Sequence, residues 1–184
     1  MERAVPQHDL LNVLDSTVRS LWRLELQPRC EVGEGDEVEA FGNGAPLDPS
    51  RRQAAWHDLV RSWRARGVDL HRVRVHEDAP TLYQQWVRWT AAWNADAGES
   101  FRYVSRSAAI TADPAFALPA EDYWFLDKER VLRMPFAPDG TPGDYVLTDE
   151  AGVVAEANGL WKVAFSVSAP ESFSGIARQV VIQP

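Results

Sequence analysis

The chain has 184 residues, 45% hydrophobic and 25% charged, which fits one globular domain. Its formal net charge of -8 argues against direct nucleic-acid binding, because an acidic surface repels phosphate backbones. One cysteine, Cys30, excludes an internal disulfide, and no apolar run is long enough to span a membrane. The start, Met1 to Asp9, lacks the basic and apolar regions of a signal peptide, so a reducing cytoplasm is the expected location.

In chain order, Asp9 to Ser20 reads as a helix. Leu10, Leu11, Leu14, Val18 and Leu21 share its apolar stripe, and Asp9 is placed to cap it. Trp22 to Gln27 alternates apolar and polar residues as a strand does, and Pro28 stops it. Gly33 to Gly44 reads as loop with a short strand at Glu37 to Phe41. The loop continues through Pro46 to Pro49. A helix capped by Asp48 or Ser50 then runs to Arg66 and ends at Gly67.

Asp69 to Val75 is the clearest strand, with Val73 and Val75 on one face and Arg72 and Arg74 on the other. Pro80 opens a helix whose stripe is Leu82, Trp86, Trp89 and Trp93, and Gly98 ends it. Phe101 to Ser105 is the next strand, and Ser107 to Pro119, with two prolines, reads as irregular. Tyr123 to Leu126 and Val131 to Phe136 form a hairpin around Asp127-Lys128-Glu129. Pro138-Asp139-Gly140 is a further turn, Tyr145 to Leu147 a strand, and Asp149 the cap of a last helix reaching Phe165. The pattern predicts a single α/β domain over residues 1–170, a mixed β-sheet flanked by helices. The tail, 171–184, carries a possible edge strand at Ala177 to Ile182.

The candidates for chemistry are few. Arg72 and Arg74, mid-strand, need carboxylates or an anionic ligand, since an unpaired buried guanidinium is very costly. Glu25, Glu99, Asp122 and Asp127 are the available partners, with Glu99 or Asp122 expected on Arg74. Trp86 and Trp124 are candidates for an aromatic wall, and Arg102 on the following strand joins this ligand-binding set. His76, at the C-terminal end of the central strand, is the candidate acid–base group together with Asp122. The histidines His8, His57, His71 and His76 lack metal-ligand spacing, so no metal and no cofactor are expected. Cys30 sits in Pro-Arg-Cys-Glu-Val without an evident helix N-terminus to lower its pKa. The basic run Arg51, Arg52, Arg61, Arg64 and Arg66 reads as a solvated helix face.

At Arg23-Leu-Glu, Gly67 with Arg72-Val-Arg-Val, Tyr83, Asn94 with Ala97-Gly-Glu, and Tyr123-Trp-Phe-Leu-Asp, the chain resembles the actinobacterial family DUF6879 over roughly Trp22 to Val154. The family has no agreed activity. Its members occur near helix-turn-helix regulators, which implies a regulatory role with a transcriptional regulator as partner. The element order also resembles phospholipase-D-like domains, whose motif is His-x-Lys-x4-Asp. With Asp127 as the motif Asp, the His and Lys positions are held by Ala120 and Asp122. A phosphohistidine mechanism needs the imidazole, so the resemblance implies that fold without phosphodiesterase chemistry.

Three functions follow as expectations. The first is a non-catalytic regulatory or ligand-binding cytoplasmic protein with an Arg/carboxylate cluster on its sheet. The second is a small enzyme of secondary metabolism, free of cofactor and metal, acting on an anionic or aromatic small molecule. The third is an interaction module that forms a homodimer.

Overall fold

The structure, a computed structural model, describes residues 1–29, 35–45, 53–117, 121–137 and 139–173. Among them eight strands form one sheet: β1 (Arg3–Val5), β2 (Ser20–Glu25), β3 (Asp69–His76), β4 (Ser100–Ser105), β5 (Asp122–Leu126), β6 (Arg130–Met134), β7 (Tyr145–Thr148) and β8 (Ala169–Pro170). Their order is β1-β7-β6-β5-β2-β3-β4-β8. β2, β3 and β4 run parallel and every other pairing is antiparallel, so the sheet is mixed as the sequence predicts. The chain folds as an α/β protein. β3 lies between β2 and β4, with Val73 at 0% and Val75 at 2% exposure.

Each face of the sheet buries its own apolar cluster, because strand side chains alternate. Leu21, Leu70, Trp124, Leu126 and Leu132 meet Val13 and Leu14 of α1 (Leu10–Asp15) and Val60 and Trp63 of α3 (Ala54–Ala65) on one side. Ala97 of α4 (Leu82–Ala97) joins them there. On the other side Leu24, Val73, Val75 and Phe125 meet Ala109 of α5 (Arg106–Ala112) and Ala157, Trp161 and Ala164 of α6 (Ala151–Val167). The face carrying α1, α3 and α4 also carries the arginines.

Several elements depart from expectation. Glu37 to Phe41 is not a strand: it lies in a helix, α2 (Gly35–Gly42), docked on α4 through Phe41 against Trp89 at 5.4 Å between ring centroids. Ser107 to Ala112 is not irregular, because Ser105 accepts from the Ala108 N–H and starts α5 before the first proline. α1 stops at Asp15, and Ser20 already pairs as a strand residue. Asp149 does not cap α6: the N-cap is Glu150, without a side-chain bond, and Asp149 takes the N-terminal ammonium instead. α4 begins at Leu82 behind Thr81, whose hydroxyl accepts from the Gln84 N–H while Gln84 reaches back, a capping box. Cys30, Asp48, Ser50, Arg51, Arg52 and the segment Ala177 to Ile182 lie outside the described residues.

The hairpin between β5 and β6 turns on Asp127 and Lys128, at φ 58° and 63°, with Glu129 N–H bonded to Leu126 C=O at 3.1 Å. Two successive positive φ values make the twisted turn that a tight hairpin favours. The Asp127 carboxylate accepts from Val18, Arg19 and Ser20 N–H, the shortest at 2.7 Å, and so fastens the hairpin to the start of β2.

Candidate functional site

Strand register builds the site. β2 and β4 flank β3 so that Arg23, Arg72 and Phe101 stand in one row, and Glu25, Arg74 and Tyr103 in the next. β5, antiparallel to β2, sets Trp124 beside Arg23, and Asp122 lies at its start. Three guanidinia thus share one sheet face with Glu25, Asp122 and, from the turn after α4, Glu99.

Glu25 is the hub. Its Oε1 accepts from Arg72 Nη1 at 2.6 Å, and its Oε2 accepts from Arg74 Nε. Arg23 Nε approaches Oε1 at 3.1 Å as an ion pair without an aligned hydrogen bond. Arg72 also gives Nε to Glu99 at 2.7 Å, and Arg74 gives Nη1 to the Val87 carbonyl at 2.5 Å and the Tyr103 hydroxyl at 3.2 Å. Asp122 accepts from Leu26 N–H at 2.8 Å, Gln27 N–H at 3.3 Å and Arg23 Nη2 at 3.1 Å. The partner expected for Arg74, Glu99 or Asp122, is therefore corrected to Glu25. Residue 25 faces residue 74 across a parallel ladder, a pairing that strand order sets and local sequence does not.

These contacts fix the charges. Burial pushes the Glu25 carboxyl up, but Arg23, Arg72 and Arg74 together outweigh it and hold it well below the usual carboxylate range. Burial pulls Arg23 and Arg74 down, but Glu25 with Asp122 outweighs it at Arg23, and Glu25 with Tyr103 at Arg74, so both stay charged. Asp122 goes the other way. Burial pushes it up, Arg23 opposes, and the nearby Glu25 charge adds to the rise.

Beside this network lies a cavity of about 420 Å³ between the sheet and helices α1, α2, α3 and α4, with Glu37 as the α2 contribution. Arg23, Arg72, Arg74 and Asp122 form its floor, and Trp56, Trp86 and Trp124 its aromatic lining. Arg72 sits 5.8 Å from the Trp56 ring centroid and 5.4 Å from that of Trp124, and Arg23 sits 5.0 Å from Trp124. The indole N–H groups of Trp56, Trp86 and Trp124 are buried without a hydrogen-bond partner among the described residues. Trp22 and Trp63, elsewhere in the fold, give theirs to Asp69 and Asp15. Gln53, Thr90 and Asn94 complete the wall, and Asn94 Oδ1 lies 2.9 Å from the buried His57 Nε2.

Of the nominated residues, Arg72, Arg74, Glu99, Asp122, Trp86 and Trp124 come together here. Arg102 does not. It lies on the opposite face, over the Phe165 ring at 4.4 Å and bonded to Ser168. Its place follows from strand alternation, which sets residue 102 against residue 73. His76 and Asp122 both line a separate void of about 20 Å³, room for one water, and His76 Nδ1 is tied to the Glu77 carbonyl at 2.7 Å. Trp89 and Trp93 leave the expected stripe: they are half-buried and pack on each other at 4.9 Å. Asp127 serves the hairpin. Sequence reasoning did not nominate Arg23, Gln53, Trp56, Thr90 or Asn94. Arg23 was findable, two residues before Glu25 on the same strand face. Among the described residues no group of three His, Cys, Asp or Glu side chains could hold a metal ion. None of their helices is long and apolar enough to cross a membrane.

The family described as a domain of unknown function, DUF6879, matches residues 8–172. The chain belongs to the DUF6879 family. Several of the segments that carry the resemblance meet at the site: Arg23-Leu-Glu supplies Arg23 and the hub Glu25, Arg72-Val-Arg-Val the two central arginines, and Asn94 with Ala97-Gly-Glu the His57 and Arg72 partners. No curated protein matches this DUF6879 chain. In fold it is similar to Nuc from Salmonella typhimurium, a phospholipase D family member, with a TM-score of 0.54 and 13% identity over 93% of this chain and 96% of that one. With Asp127 taken as the motif Asp, the Lys position falls on Asp122, locked to two backbone N–H groups and Arg23, and the His position on Ala120, outside the described residues.

Proposed function

We propose that this protein binds a small molecule in the arginine-face cavity and does no chemistry on it. What supports the reading is that the charged floor is already closed on itself. Each of the three guanidinia has a carboxylate, and Glu25 and Asp122 are spent on arginines and backbone N–H groups. Among the described residues that line the cavity, no nucleophile stands beside a base. The volume, about 420 Å³, lies within the roughly 300–1,000 Å³ of ordinary ligand sites, and the lining is aromatic with a few polar groups. The DUF6879 membership supports a setting in the actinobacterial cytoplasm, with a transcriptional regulator reading the liganded state.

Thr90 provides the test. It lines the cavity, is 3% exposed, and makes only a local bond to the Val87 carbonyl at 3.2 Å. Thr90→Leu fills space; because Thr90 shares the Val87 carbonyl with Arg74, an unchanged melt of the variant without probe first shows the ion network intact. Thermal melts of both proteins are run with naphthamide, naphthoate and naphthylmethylammonium. At least one probe is expected to raise the wild-type melting temperature by about 2 °C or more and to leave Thr90→Leu unmoved. Equal behaviour of the two proteins with every probe would show that the cavity binds none of them and end this reading.

The enzyme reading has one observation in its favour: a carboxyl, Asp122, pushed up by burial at a cavity wall, which is how acid–base groups are often tuned. Product formation from a bound molecule, abolished in Asp122→Asn at an unchanged melt, would replace the binding reading.

A further inference from the structure

Resting on that binding reading, we infer that the cavity takes an uncharged, flat, acceptor-rich molecule, and not the anion its arginines suggest. The charge balance comes first. Arg23, Arg72 and Arg74 are matched by Glu25, Glu99 and Asp122, three cations to three carboxylates, and the further charged residue of the lining, Glu37, is acidic and adds no cation. An arriving anion finds no unpaired cation. It would enter a low-dielectric site and give up its hydration for a floor that is already neutral.

A cationic ligand fares no better. An aromatic wall attracts cations through its ring faces, but Arg23 lies over the Trp124 ring and Arg72 over Trp56 and Trp124. Two of the three indoles therefore already have their cations, which leaves Trp86 alone to attract another.

The polar lining then sets the complement. Among the described residues that line the cavity, the buried atoms without a hydrogen-bond partner are the indole nitrogens of Trp56, Trp86 and Trp124, Arg23 Nε and Gln53 Oε1. Four are donors and one is an acceptor. An indole N–H can only donate. Trp86 and Trp124 are each 2% exposed and their indole nitrogens are covered, so water does not serve them, and an acceptor reaches them only as the side chains over them give way. A buried donor left unmatched is costly, and a carbonyl or ring oxygen placed against it recovers that cost without bringing charge. The indole lining favours a planar body. Lactones, quinone-like rings and aryl amides share this chemistry.

The same three naphthalene probes differ only in charge and hydrogen-bonding group, and isothermal titration near neutral pH ranks them. Naphthamide is expected to bind about tenfold or more tightly than naphthoate or naphthylmethylammonium, the scale of one matched buried hydrogen bond. With nitrogen-labelled protein, bound naphthamide should move the indole N–H signals of Trp86 or Trp124 and leave those of Trp22 and Trp63 in place. Trp86→Phe, checked for an unchanged melt, should weaken naphthamide and narrow the gap between probes. Trp124→Phe serves if the first variant melts early.

Naphthoate binding as well as or better than naphthamide would overturn the ligand class and leave the binding reading standing. A preference for naphthamide with unmoved Trp86 and Trp124 signals would also overturn it, by showing that the selectivity arises elsewhere. If no probe binds and Thr90→Leu matches the wild type, both inferences fall together.

Discussion

Glu25 is the carboxylate that Arg72 and Arg74 share, and the effect of removing an arginine follows from that. Arg74→Ala takes one of its charge partners and also vacates the bonds to the Val87 carbonyl and the Tyr103 hydroxyl. Arg74 is 7% exposed, so water does not readily replace what is lost. The expected cost is about 3–5 kcal/mol, typical of breaking a buried pair by removing one partner. Arg74→Met keeps the stem volume and should cost less. Urea melts of the two variants beside the wild type measure both, and a wild-type midpoint for Arg74→Ala would remove the structural role assigned to the network. The alternation Arg72-Val73-Arg74-Val75 was enough to place both guanidinia on one buried face. It could not name Glu25, because facing residues of parallel strands are chosen by sheet order.

Helix ends decide how α4 delivers Asn94 and Glu99. Gly98 closes the helix at φ 116°, and a Cβ there would come within 2.9 Å of Arg64 Cγ. Gly67 closes α3 at φ 81° with nothing within 4 Å of the same atom. Gly67→Ala should therefore cost about 1 kcal/mol, the strain of a left-handed residue. Gly98→Ala should cost more, because it has the less accessible φ and must also displace Arg64. Its effect should reach the site by shifting Glu99 from Arg72. Thermal melts rank the two, and a smaller loss at residue 98 would count against this account. Both glycines could be read from the sequence as stops, since each follows a periodic run. α2 and α5 were missed because each is only about two turns long, too short for periodicity to separate helix from strand or loop. α5 depends on the Ser105 cap, and α2 on packing against Trp89.

Across the whole molecule, buried carboxyls titrate with two opposing signs. Glu25 and Asp127 are held below their usual range, Glu25 by three arginines against its burial and Asp127 by the Ser20, Arg19 and Val18 N–H groups against its own. A lowered folded value gives stability that is present above about pH 4 and is lost as pH falls through the folded value. Asp122, pushed up by burial, does the reverse. Its contribution is complete below about pH 4 and is lost as pH rises through its folded value. The wild type should therefore lose stability steeply on acidification below about pH 4, since the lowered groups outnumber the raised one. Asp127→Asn should flatten that acid limb. Asp122→Asn keeps an acceptor for the Leu26 and Gln27 N–H groups, and its stability relative to wild type should improve as pH rises from about 4 toward neutrality. Urea midpoints measured in pH steps for the three proteins read all of this at once. If the Asp122→Asn difference ran the other way, becoming less favourable with rising pH, burial would not raise the Asp122 carboxyl, and the one observation that favours the enzyme reading would be lost.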